Sequence, residues 1–180
     1  MAALRKAGAY SKKYARPYTR KSKKRTKSYI KTIPHINIAK FSMGKQQDYQ
    51  IGKFDTIIKA ISAEKIQIRD NALEAARQTI TRGLDKYIKD QYYFEVKVYP
   101  HHILRENKML TGAGSDRMQT GMQRSFGKAI GRAALVKENQ PIMIIATSGE
   151  KQINFVREVL NIAKSKLPCR VKITVEKIKR

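Results

Sequence analysis

The residues best equipped for chemistry are cations set among aromatic rings and glycines, and the chemistry they suit is the grip of a polyanion. Within the first 31 residues Tyr10, Tyr14, Tyr18 and Tyr29 are interleaved with Arg16, Arg20, Lys21, Lys23, Lys24, Arg25 and Lys27, and no carboxylate interrupts them. Cations neutralise phosphates while phenol rings stack on bases or sugars, so the mixture suits a chain laid along nucleic acid. A second group lies between residues 112 and 131, which hold five of the ten glycines, Gly112 and Gly114 among them, with Arg117, Arg124, Phe126 and Lys128. Arg105 and Lys108 precede this stretch and Arg132 follows it. Glycine lets backbone approach a ligand closely, and arginine offers planar donors to phosphate and guanine edges. Met109, Met118 and Met122 fall in the same region; they either tether it to the domain or make soft contacts with bases and sugars at its tip.

A catalytic constellation is harder to assemble. The histidines are His35, His101 and His102, and the 14 carboxylates are scattered over expected helix ends and strand faces. Adjacent side chains in extended backbone point to opposite sides, so His101 and His102 are poorly placed to share a metal ion. Around the glycine-rich stretch only Glu106 and Asp116 are acidic, too few for the carboxylate cluster of a metal-dependent nuclease, and Asp116 is better placed to pair with a neighbouring arginine. Gly112-Ala113-Gly114 continues as Ser115-Asp116-Arg117 and follows no clear strand-to-helix unit, which rules against a nucleotide-binding turn; no P-loop is present. Cys169 is the single cysteine, excluding an intramolecular disulfide and a cysteine-held zinc. It fits a reducing compartment and reads as a small apolar side chain near a strand start. No catalytic residue, metal or cofactor is expected, and the chain reads as a binding protein and not an enzyme.

Charge points the same way. The net charge of the 180 residues is +25, and residues 1 to 47 alone carry fourteen Lys or Arg and no acid. Such a chain repels itself until a polyanion relieves it, and a dense row of phosphates does so best. An acidic membrane surface is the weaker partner, because no apolar run reaches the roughly 18 residues that span a bilayer and the basic N-terminus has no apolar face to insert. No apolar h-region follows its charges, so it does not read as a secretory signal. Two binding readings remain: a component fitted to one RNA, and a free-standing RNA chaperone or chromatin protein held by charge alone.

These groups need elements to position them. Residues 1–31 lack the aliphatic spacing that offsets the entropy of ordering a backbone, and are expected to be a basic extension, disordered when free. Residues 32–180 read as a single domain. Ile36, Ile38 and Phe41 alternate into a short strand ended by Gly44; a second is expected over Phe54 to Ile61 and an extended stretch over Ile66 to Arg69. Asp70 is placed as N-cap of a helix running to about Ile88, with Leu73, Ala76, Ile80, Leu84 and Tyr87 on its apolar face and Glu74, Arg77 and Arg82 opposite. Gly83 weakens that helix by about 1 kcal/mol relative to Ala if interior, which would allow an early end. Phe94, Val96 and Val98 alternate with Tyr93, Glu95 and Lys97 in the clearest strand, closed by Pro100. Ile103 and Leu104 suggest a further short strand, after which periodicity is lost from Glu106 to about Gly131, giving a long loop over about 105–131 of the kind that is usually functional or disordered. Strands over Ala133 to Lys137 and Ile142 to Thr147 follow. Thr147 and Glu150 then make capping-box spacing for a helix with Phe155, Val156, Val159, Leu160 and Ala163 as its stripe, stopped by Pro168. Val171, Ile173 and Val175 form a last strand. The order predicts an α+β domain, helices packed on a mainly antiparallel sheet.

The run HHILRENKMLTGAGSDRMQTGMQRSFGKAIGRAALV, His101 to Val136, closely resembles the central segment of the large-subunit ribosomal protein family called ten-e in archaea and sixteen in bacteria. RPYTR at Arg16 to Arg20, NIAKFSMG at Asn37 to Gly44, IRDNALEAAR at Ile68 to Arg77 and KLPCR at Lys166 to Arg170 agree in order and spacing, so the resemblance covers nearly the whole chain. The archaeal type looks nearest; bacterial members are shorter and differ through the loop, the eukaryotic form carries a longer C-terminal segment, and the match is poor between Lys45 and Glu64. The resemblance implies a two-layer sandwich of the hammerhead type on large-subunit rRNA, between the central protuberance and the base of the factor-binding stalk. It implies rRNA contacts from Arg16, Tyr18, Arg20, Arg105, Lys108 and Arg132, while Lys21, Lys23, Lys24, Arg25 and Lys27 rest on charge alone. The loop, with Gly112, Gly114, Arg117, Arg124, Phe126 and Lys128, would approach the peptidyl transferase centre and bound tRNA. The implied partners are large-subunit rRNA, tRNA through the loop and neighbouring ribosomal proteins, with no membrane and no small-molecule substrate, in the cytoplasm. The implied task is to order the rRNA that positions aminoacyl-tRNA, with late assembly in many lineages.

Overall fold

Alternating apolar residues and two amphipathic stretches fold into eight strands and three helices in a computed structural model, which describes residues 6–11, 30, 33–106 and 128–178. In chain order among the described residues these are β1 (Ser42–Gly44), α1 (Gln46–Gln50), β2 (Thr56–Ser62), β3 (Ile66–Arg69), α2 (Asp70–Tyr87), β4 (Tyr92–Val96) and β5 (His102–Glu106), then β6 (Lys128–Val136), β7 (Pro141–Thr147), α3 (Glu150–Lys164) and β8 (Val171–Lys177). The α+β class expected from the sequence is observed. Instead of one sheet there are two, a five-stranded sheet in the order β1-β4-β7-β2-β8 and a three-stranded sheet in the order β3-β6-β5. Every ladder between these neighbours is antiparallel.

One core joins both sheets to α2 and α3. Leu73, Ala76, Ile80 and Leu84 of α2 and Val156, Val159, Leu160 and Ala163 of α3 pack with Ile58, Phe94, Met143 and Ile145 of the larger sheet and with Ile66, Ile68, Ala134 and Val136 of the smaller. Phe94 and Val96 of β4 face this core, as their alternation predicts, and Tyr93 faces the other way. On that outer face Tyr93 joins Phe54 and Ala146 in a second small cluster, where Tyr49 of α1 stacks on it with ring centroids 4.4 Å apart. The five-residue α1 was not foreseen, because a single tyrosine gives no helical period.

Several local expectations need correction. Residues 33–41 are not a strand; Ile38 is buried, but the backbone there bonds to side chains of α2, and strand structure starts at Ser42. Asp70 is the first residue of α2 and not its cap, that position being held by Arg69. At α3 the N-cap is Gly149, whose φ of +96° suits glycine, and the capping box does not form, since Thr147 is a buried end of β7 that bonds to Gln152. Tyr87, expected on the apolar face, is 63% exposed.

Gly83 does not end α2. It sits where α2 meets α3: a Cβ built there would lie 2.9 and 3.0 Å from the two methyl carbons of Val159, which is buried. Glycine therefore permits the close approach of the two helices. Gly83→Ala would gain about 1 kcal/mol in helix propensity and lose about 1–3 kcal/mol to overpacking, so a net destabilisation is expected. In a Val159→Ala background the sign should reverse and the same change should stabilise. Urea unfolding of the four proteins checks this; stabilisation by Gly83→Ala in both backgrounds would leave the crossing without a steric cause.

Candidate nucleic-acid interface

The glycine-rich segment springs from a paired stem. β5 and β6 form a hairpin whose register runs from His102↔Ala133 to Glu106↔Lys128, so residues 107–127 leave from two adjacent strand ends. Leu104 pairs with Gly131 and Arg105 with Ala129, leaving Ile130 as the extra residue of a bulge, 39% exposed. Such a bulge bends the strand and re-aims the chain beyond it. The bulge and Gly131 also explain why alternation could not be read before Ala133, although β6 begins at Lys128.

Of the side chains expected to contact RNA, two can be followed. Arg105 is half-buried on β5, opposite Ala129. Arg132 is half-buried opposite Ile103 and its Nε donates to the Pro34 carbonyl at 2.7 Å, so it ties residues 33–36 to the hairpin. Arg16, Tyr18, Arg20, Lys21, Lys23, Lys24, Arg25, Lys27, Lys108, Gly112, Gly114, Arg117, Arg124 and Phe126 lie outside the described residues, as do the three loop methionines, Asp116 and the side chain of Lys128.

Among the described residues of the N-terminal stretch, Lys6 to Ser11 touch the domain. Residues Lys6 to Ser11 form a turn on the open edge of β3: the Gln67 N–H donates to the Ser11 carbonyl at 3.0 Å, the Gln67 side-chain amide to the Tyr10 carbonyl, and Arg69 Nη2 to the Lys6 carbonyl at 2.7 Å. Ser11 and Ile30 are buried, and Ala7 packs against the core. The chain's own start thus covers an edge that would otherwise present unpaired backbone. Tyr10, grouped by sequence with the stacking tyrosines, is half-buried here. The cationic residues 12–29 follow Ser11, held on β3, and precede the buried Ile30.

A polar seam holds residues 37–43 along α2. Asn37 donates through its backbone N–H and Nδ2 to Asp70 Oδ2 at 3.1 and 2.8 Å. The Ala39 N–H donates to Glu74 Oε2 at 3.3 Å, and Arg77 Nη1 approaches Met43 Sδ at 3.1 Å. Glu74 and Arg77 are joined by two hydrogen bonds of 2.7 and 2.6 Å. The guanidinium holds the Glu74 carboxyl below its usual range, against the opposing effect of burial. The pieces NIAKFSMG and IRDNALEAAR are thus each other's partners. Glu74 and Arg77, read as an outward face, are mostly buried; the spacing of Asp70, Glu74 and Arg77 by four and three residues was the available signal of a polar stripe.

His101 is exposed and His102 buried, on opposite sides as adjacency predicts. Among the described residues no group of His, Cys, Asp or Glu could hold a metal ion, and no helix is long and apolar enough to cross a membrane. Burial raises the Cys169 thiol pKa, which disfavours a reactive thiolate and agrees with a packing role.

The model of the family described as ribosomal protein L16p/L10e matches residues 16–174. The chain is 43% identical to the large ribosomal subunit protein uL16 of Hyperthermus butylicus over 164 residues, covering 91% of this chain and 85% of that protein. It is 42% identical to the protein of the same description from Pyrobaculum calidifontis over 173 residues, covering 96% and 93%. To that of Staphylothermus marinus it is 40% identical over 177 residues, covering 98% and 95%.

Proposed function

The chain belongs to the ribosomal protein L16p/L10e family, and on that footing we propose that it binds large-subunit rRNA and helps to organise the tRNA-binding region near the peptidyl transferase centre. It is a ribosomal protein and not an enzyme, and its place is the large subunit in the cytoplasm. The observation that carries the finer reading is the β5–β6 stem, which hands residues 107–127 out from a paired and bulged hairpin. A stiff stem carrying a glycine-bearing, arginine-containing loop suits insertion among folded RNA, where backbone must come close and cations must meet phosphates. The cationic residues 12–29, between Ser11 and the buried Ile30, supply the second contact, to rRNA phosphates.

Native large subunits should contain one copy of this chain per particle and retain it through a salt wash, because shape-fitted contacts survive screening better than a pure phosphate grip. A protein that washes off and spreads over bulk RNA and DNA would instead be a charge-held chaperone. Arg117→Ala with Arg124→Ala should impair tRNA binding by subunits more than incorporation of the protein into them. Sedimentation of tagged protein and tRNA binding to purified subunits measure the two effects, and equal losses would make the loop a docking element.

A further inference from the structure

Phe41, Tyr99 and His101 form a ladder of rings running out of the core. Phe41 packs against the main cluster, and its carbonyl accepts the Val96 N–H at 2.8 Å. Tyr99 stacks on Phe41 with centroids 5.3 Å apart and planes 21° from parallel. His101 follows on Tyr99 at 4.4 Å with a 45° tilt. Phe41 is partly buried, whereas Tyr99, at 42%, and His101 are both exposed. Pro100 is buried between the outer two, and the His101 N–H donates to the Tyr99 carbonyl at 3.0 Å, closing a tight turn that fixes both rings on one side. The ladder stands where the chain crosses from β4 to β5, at the root of the hairpin.

We propose that the outer end of this ladder is a stacking site for an unpaired RNA base, separate from the cationic stretch and the hairpin loop; this rests on the RNA-binding reading above. Rings held rigid before binding lose little entropy when a base settles on them, and every base offers a π face to a ring. The charge around them suits RNA. Lys40, beside Phe41, is exposed, and the carboxylate of Glu95 is already met by Lys97 at 2.6 Å and by the Tyr93 hydroxyl at 3.1 Å, so it repels phosphate weakly. An apolar protein partner would accept leucine in place of these rings. A base requires the aromatic plane.

The test uses the full chain and purified large-subunit rRNA, with affinity measured over a salt series. His101→Leu together with Tyr99→Leu should lower affinity about tenfold without changing the slope of log affinity against log salt, because stacking releases no counterions. His101→Phe together with Tyr99→Phe should bind within about twofold of wild type, since the planes remain. His101→Leu alone, at an exposed position, should leave the thermal melt unchanged and still weaken binding. Leucine variants that bind rRNA as wild type does, or whose salt slope falls, overturn the stacking site and leave rRNA binding standing. Failure of the wild-type chain itself to bind overturns the reading beneath both.

Discussion

Replacing Lys21, Lys23, Lys24, Arg25 and Lys27 with glutamine flattens the salt dependence of rRNA binding by about 3.5 to 4.5 in the slope of log affinity against log salt. That figure comes from about 0.7 to 0.9 released counterions per neutralised phosphate, applied to five cations. Across a fourfold rise in salt the wild type should therefore lose about two to three orders of magnitude more affinity than the variant. Domain stability should move by less than about 0.5 kcal/mol, because none of the five belongs to the Lys6–Ser11 turn that pairs with β3 or is the buried Ile30. Removal of residues 1–31 should behave differently. It also strips the Lys6–Ser11 turn from β3 and removes the buried Ile30, so stability and affinity should fall together. Filter binding over a salt series and urea unfolding separate the two cases. Parallel salt lines for wild type and glutamine variant would mean that these cations do not meet phosphates.

The contrast between those variants reflects what could be read before the fold was known. Elements that bury one face announced themselves through period: Leu73, Ala76, Ile80 and Leu84 in α2, Val156, Val159, Leu160 and Ala163 in α3, and Phe94 and Val96 in β4 all face the core as their spacing requires. Positions whose partners lie far along the chain did not. Ile36 and Ile38 alternate as a strand would, yet the backbone N–H groups of the neighbouring Asn37 and Ala39 are satisfied by Asp70 and Glu74, 33 and 35 residues away. No local pattern separates those two outcomes. The division into two sheets is equally non-local, because β3 and β5 are joined only through β6, whose start is masked by Gly131 and the extra residue Ile130. For the proposed interface, composition pointed to the cationic stretch and the glycine-rich segment, most of which lies outside the described residues, and gave no sign of the tie between Arg132 and Pro34. The ring ladder was invisible for a related reason: Tyr99 and His101 are two apart around a proline, but Phe41 comes from another part of the chain.

The Glu74–Arg77 pair should be a sensitive polar contact among the described residues. Its side chains are only 13% and 12% exposed, so solvent screens them little, and Glu74 also receives the Ala39 N–H and the Gln78 amide. Glu74→Ala leaves the guanidinium without its carboxylate and frees two donors; removing one partner of a buried pair costs about 3 kcal/mol. Glu74→Gln keeps an acceptor oxygen and should cost about 1 to 2 kcal/mol. Glu74→Leu with Arg77→Met removes both charges, and apolar replacements of similar volume should recover most of the loss. The pH dependence has a definite sign. Because Arg77 chiefly holds the folded Glu74 pKa below its ordinary value of 4.5, the pair's contribution is complete above that value and disappears as pH falls through the lowered one. Carboxylates common to wild type and Glu74→Gln cancel in the difference between them. The stability gap measured by urea unfolding should therefore stay constant from neutral pH down to about the ordinary carboxylate value and close below it. A gap that persists in strong acid would assign the seam's strength to shape and neutral hydrogen bonds, and would leave the charge of Glu74 with no part in holding residues 37–43 to α2.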